Sequence, residues 1–101
     1  MIRHIVMFQF KEEAEGRSKA ENLLIAKEML VKLQGEVPTL VNSYVKTNDE
    51  FANKDNYDLV LVADYEDMEG LNAYIVHPAH KKVGEFIGKV REQRACIDFE
   101  I

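Results

Sequence analysis

An α+β sandwich, a four-stranded antiparallel sheet with its helices on one face, is the fold that this 101-residue sequence predicts. Three observations lead there. Segments of alternating polarity open and close the chain, a run rich in branched residues lies between them, and amphipathic helical stretches separate the three. The length fits a single core, so residues 1–101 read as one domain.

The first strand is "IRHIVMFQF". Its alternation puts Ile2, His4, Val6, Phe8 and Phe10 on one face and Arg3, Ile5, Met7 and Gln9 on the other. The polar "KEEAEGR" reads as a solvated loop. In "SKAE", Ser18 caps a helix and Glu21 reaches back to the cap amide. Leu23, Ala26, Leu30 and Leu33 then form one helical stripe. Gly35 is expected to stop the helix, and Pro38 prevents its resumption. "LVNSYVKT" is a second strand and "NDEFANKDN" a polar loop. "YDLVLVADY" is the clearest strand, with Leu59, Leu61 and Ala63 on one face and Val60 and Val62 on the other. Asp67 caps a short helix carrying Met68, Leu71, Tyr74 and Ile75. Pro78 suits the first turn of a third helix, with apolar positions Ala79, Val83, Phe86, Ile87 and Val90. The closing "RACIDFEI" groups Ile97, Phe99 and Ile101.

A right-handed strand–helix–strand crossover leaves room for a strand between its ends, which gives a ferredoxin-like arrangement. Helices on one sheet face leave Ile5, Met7, Val60 and Val62 projecting from the other. A contiguous apolar face of this kind marks an interface, and two such sheets packed face to face make an isologous homodimer.

Composition narrows the function. Hydrophobic residues are 47% and charged residues 31% of the chain, as in ordinary globular proteins. A net charge of −5, with both signs interspersed, argues against a phosphate-backbone partner. The lone Cys96 has no partner for an internal disulfide, no secretory pattern opens the chain, and no apolar run is long enough to span a bilayer. The expectation is a cytoplasmic protein that binds neither nucleic acid nor membrane.

The chemistry-bearing residues gather in "YIVHPAH", residues 74–80, which holds two of the chain's three histidines. His77 and His80 are two residues apart, but Pro78 redirects the chain between them and no third ligand stands at a familiar spacing. Cys96 is far away in sequence and no acidic residue sits at a familiar spacing, so no metal site and no cofactor are expected in this chain. Cys96 reads as a small hydrophobe on a strand, and Gly70 fits no phosphate-binding pattern. Tyr74 lies on the apolar stripe of its helix and His80 just beyond the Pro78 break, so both face the space between helices and sheet. His4, beside Val6 and Phe8, faces the same space. A structural alternative stands beside this: Tyr74 as a core aromatic, His80 as a helix-start residue and His4 as a buried neutral ring.

The segments "IRHIVMFQFKEEA", "YDLVLVADYEDMEGLNAYIVHPAHKKVGEFI" and "IDFEI" together resemble the stress-responsive A/B barrel (Dabb) family. The resemblance covers nearly the whole chain and implies a dimeric α+β barrel. In a branch similar to plant polyketide cyclases, it implies a catalytic tyrosine at Tyr74, a catalytic histidine at His80 and a pocket histidine at His4. That branch lines an alkyl tunnel with aromatic residues of the first helix; "LIAKEML" here has none, so the same substrate is not expected. The pocket is expected to comprise His4, Val6, Phe8, Leu30, Leu59, Leu61 and Ile75. Two functions fit. One is a cyclase-like lyase that uses Tyr74 and His80 as an acid–base pair on a small carbonyl or aromatic ligand. The other is a stress-response binding or protective protein without turnover. A cavity of about 300 Å³ or more at His4, Tyr74 and His80 favours a ligand site.

Overall fold

The computed structural model describes Met1–Ile101. The chain runs β1 (Ile2–Phe10), β2 (Glu13–Ala14), β3 (Arg17–Ser18), α1 (Lys19–Glu36), β4 (Asn42–Thr47), β5 (Leu59–Tyr65), α2 (Met68–Val76), α3 (Pro78–Val90) and β6 (Arg91–Glu100). The main sheet has four strands in the order β4-β5-β1-β6, each pair antiparallel. Helices cover one face, the two-layer solution for elements that each present one apolar side. No helix is long and apolar enough to cross a membrane.

The alternation in β1 does what its sequence requires. His4, Val6, Phe8 and Phe10 are buried under the helices, while Met7 stays exposed on the far face. On α1, Ala26, Leu30 and Leu33 are buried, and Leu23 packs at the margin of the same cluster. The Ser18–Glu21 capping box forms in full: the Ser18 hydroxyl accepts from the Glu21 amide, and the Glu21 carboxylate accepts from the Ser18 amide.

Three sequence expectations need correcting. Gly35 does not end α1, which continues to Glu36 and is capped by Val37 in an extended conformation. Pro38 is the stop, because its ring drives the preceding residue out of the helical region. The polar loop after β1 is in part ordered as the β2–β3 hairpin, which turns through Glu15 and Gly16 at positive φ. Fully buried Asn22 holds it to α1, donating to the Ala14 carbonyl and accepting from Arg17. Finally, β6 begins at Arg91, three residues before the alternating "RACIDFEI". Its first residues are all polar and the register shifts there, so no apolar period shows at its start.

The face away from the helices carries rows of cross-strand neighbours. Tyr44, Val62, Ile5 and Ile97 form one row; Lys46, Val60, Met7 and Ala95 form the next. Arg3 and Asp64 pair on this face as well, through two hydrogen bonds of 2.8 and 3.1 Å. That contact holds the Asp64 carboxyl below, and the Arg3 guanidinium above, their ordinary values. Of the four residues expected to project here, Met7 is exposed and Ile5 and Val60 are half-buried. Val62 is already buried within the protomer, flanked by Tyr44 and Ile5.

Candidate functional site

The site is assembled by the junction of α2 and α3. Asp67 caps α2 by accepting from the Gly70 amide, which sets the helical phase that turns Leu71 and Tyr74 inward. His77 ends α2, donating its amide to the Tyr74 carbonyl. It also starts α3, where its Nδ1 accepts from the Ala79 amide. With Pro78 at the first helical position, α3 leaves at a new angle and brings His80 back over Tyr74.

The result is a tyrosine between two imidazoles. The Tyr74 ring lies 4.5 Å from that of His80 and 6.4 Å from that of His4, centroid to centroid. The His80 Nδ1 lies 3.1 Å from the Ile75 carbonyl oxygen. A carbonyl only accepts, so this nitrogen carries the proton and Nε2 keeps the lone pair. Burial lowers the His80 pKa, as do His4 and Arg94, against the raising effect of the Ile75 carbonyl. Burial pushes the Tyr74 hydroxyl up to about 12, with the neighbouring Tyr65 hydroxyl pulling the other way. Tyr74 therefore stays protonated at neutral pH and acts as a hydrogen-bond donor. His4 donates from Nδ1 to Asp98, which stands opposite it on β6.

These side chains line a cavity of about 180 Å³ between helices and sheet. Its apolar wall includes Val6, Phe8, Leu30, Leu61, Val83 and Ile87. The volume falls short of the ~300 Å³ of a typical drug-sized site and suits a small ligand. Of the residues expected from sequence, His4, Val6, Phe8, Leu30, Leu61, Tyr74 and His80 come together here. Leu59 and Ile75 do not. Leu59 is 2% exposed in the core and borders an open groove with Met7 and Val60 instead. Ile75 is turned outward and is 44% exposed, because the helical period that buries Tyr74 carries its neighbour about 100° around the axis. His77 and His80 each direct Nδ1 to a backbone partner rather than to a shared point.

The sequence matches the Stress responsive A/B Barrel Domain family, Dabb, over residues 2–101. The chain belongs to that family. Among curated proteins, this Dabb domain is 24% identical over 99 residues to olivetolic acid cyclase of Cannabis sativa, covering 97% of this chain and 94% of the cyclase. Among solved structures, it resembles a dimeric ferredoxin-like protein of unknown function from Thermobifida fusca, with a TM-score of 0.83 and 27% identity over 99% of this chain and 90% of that one. It also shares its fold with a hydroxynitrile lyase from Passiflora edulis, with a TM-score of 0.81 and 14% identity over 99% and 92% of the two chains.

Six lining residues of the Dabb domain are not among those expected from sequence: Val83 and Ile87, expected only as apolar positions of α3, and two glycines and two arginines. Gly84 and Gly88, one turn apart on α3, wall the cavity, and a Cβ at either would meet nothing within 4 Å. Glycine inside a helix costs roughly 1 kcal/mol relative to alanine, so here that cost accompanies open space. Arg91 and Arg94 also line the cavity, although three residues apart in a regular strand face opposite ways. The ladder explains it: Gln9 pairs with Gln93 but Phe10 with Arg91, so Glu92 is bulged out and the two arginines share a side. Neither forms a salt bridge within the chain. The spacing of two arginines was visible in the sequence, but the bulge that aligns them was not.

Proposed function

We propose that the protein binds a small, anionic carbonyl compound in this cavity and catalyses proton transfer next to the carbonyl, as a cyclase-like lyase. The observation that carries this reading is Tyr74, buried with its ring between those of His4 and His80 and lining the cavity. His80 Nε2 takes a proton from the carbon beside the carbonyl; the C–H electron pair becomes the enolate, and Tyr74 donates a hydrogen bond to the oxygen that gains charge. Aldol closure or fragmentation then proceeds from that enolate. Arg91 and Arg94 supply positive charge for a carboxylate or similar group. The cyclase relative supports carbonyl chemistry, and the 180 Å³ cavity argues for a compact substrate.

The same small cavity also fits the alternative of ligand binding without turnover, and the test separates the two. Phenolic and β-keto acids are titrated against the full chain while the His80 ring is followed by NMR, and turnover is assayed in parallel. Tyr74→Phe and His80→Ala are expected to cost on the order of 10²–10⁴ in the chemical step, with the fold intact. Gly88→Leu, which fills the cavity, is expected to abolish the ligand shift. Binding that Gly88→Leu abolishes, with no turnover in the wild type, establishes the binding-only reading. No shift with any such acid removes both.

The reading includes a homodimer, supported by the dimeric Thermobifida fusca neighbour. Its interface is the open sheet face bearing Ile5, Met7, Val60 and Val62, extended by the exposed Tyr44, Ile97 and Phe99. We place the protein in the cytoplasm, where its exposed thiol stays reduced.

A further inference from the structure

His4, Cys96 and Asp98 converge on one point at the β6 side of the sheet. Strand β6 runs antiparallel to β1 so that Asp98 stands opposite His4 and Cys96 opposite Val6. Residues 96 and 98 share a strand face, and it is the face to which His4 points. The Cys96 sulfur lies 3.5 Å from His4 Nδ1 and 3.9 Å from Asp98 Oδ1. That Asp98 oxygen is in turn hydrogen-bonded to the same His4 nitrogen. An imidazole nitrogen, a thiol sulfur and a carboxylate oxygen thus lie together within 4.8 Å. The group is anchored inside and open outside: the His4 side chain is 7% exposed and that of Asp98 34%.

We infer that these three side chains form a binding site for a divalent transition-metal ion of the zinc class. Zinc–ligand bonds of roughly 2.0–2.3 Å in a tetrahedron separate neighbouring donors by about 3.3–3.7 Å. The two sulfur separations already approximate this, and Asp98 has only to draw back from hydrogen-bond contact as the ion replaces the proton between it and His4. That proton moves to the far nitrogen of the His4 ring, and the thiol proton leaves to solvent. Thiolate and carboxylate then neutralise the ion, which suits a half-buried location. A mixed nitrogen, sulfur and oxygen set selects zinc or cobalt over magnesium or calcium, which take oxygen ligands. Three protein donors leave a fourth position for water or an anionic ligand, and His4 puts the ion at the polar end of the cavity. The site does not depend on proton transfer by Tyr74 and His80, neither of which supplies a donor.

The experiment titrates chelator-treated full-length protein with Co²⁺ and then displaces it with Zn²⁺. One equivalent per chain is expected to produce a thiolate-to-cobalt charge-transfer band and the visible bands of a four-coordinate ion, both erased by Zn²⁺. Cys96→Ser is expected to remove the charge-transfer band. Asp98→Asn weakens binding by at least the roughly 10–100-fold that losing even an outer-shell partner costs. His77→Ala leaves the spectrum unchanged. In the wild type alone, Zn²⁺ is expected to slow alkylation of the otherwise exposed Cys96, so the proposal stays testable should a variant misfold. A cobalt spectrum without a thiolate band, a spectrum unchanged in Cys96→Ser, or alkylation indifferent to Zn²⁺ overturns it.

Discussion

Tyr65 is fully buried at the end of β5, and its hydroxyl is the one buried side-chain polar atom without a hydrogen-bond partner. Burial and the nearby Tyr74 push that hydroxyl's pKa well above its ordinary value, so it is neutral at any physiological pH. Replacing it, Tyr65→Phe, deletes one oxygen and keeps the ring packed against Tyr74 at 5.2 Å. A polar group buried without a partner costs about 1–3 kcal/mol of desolvation. Removing it recovers that amount, less any contacts the oxygen itself made. For a domain of this size each kcal/mol moves the melting temperature by roughly 4–8 °C. Tyr65→Phe is therefore expected to melt above the wild type, by about 4–8 °C for each kcal/mol recovered. Calorimetry or circular dichroism measures it, at matched protein concentration because an associating protein melts concentration-dependently. Tyr74→Phe is the control and should shift the melting temperature little. A lower melting temperature for Tyr65→Phe refutes the reasoning, since it means that the hydroxyl has a partner such as a buried water.

Two further outcomes follow from other parts of the molecule. Val60→Asp puts an unpaired charge on the open sheet face beside Met7 and is expected to dissociate or unfold the dimer; light scattering that shows a stable wild-type monomer at micromolar concentration sinks the dimer reading. For His80, whose folded pKa is depressed chiefly by burial with His4 and Arg94 adding and the Ile75 carbonyl opposing, the unfolded chain binds the proton first as pH falls. Its contribution to stability is thus complete above the unfolded value of about 6.5 and is lost as pH drops through the folded value. His80→Gln should flatten the melting temperature's dependence on acidic pH relative to wild type, and parallel curves for the two would contradict the burial of this ring.

What the sequence discloses here depends on how local the cause is. The capping box, the Pro78 start of α3 and the two faces of β1 each rest on residues a few positions apart, and each is legible in the chain. The β2–β3 hairpin is less so, because Glu15 takes a positive φ that asparagine or aspartate signals far better. Gly35 carries a stop signal that Pro38 makes redundant. For the candidate site, Tyr74 and His80 are six residues apart and can be paired by eye. His4 and Asp98 are 94 residues apart and meet only through the β1–β6 register. Cys96 reads as an inert strand residue until that register sets it beside His4. The arginine pair needs still more, a bulge that no residue type announces.

His77 joins two helices with a single residue, capping one with its amide and the other with its ring. The offset between Tyr74 and His80 is therefore a matter of counting. One residue added between them would rotate the second ring by about 100° about its helix and carry it out of register with the first. Chain length in this short stretch is quantised by the geometry it must deliver, so point substitutions there can be absorbed where insertions cannot. The sheet below has no such arithmetic: the two rings would keep their mutual aim if the whole hairpin of helices were moved onto another support.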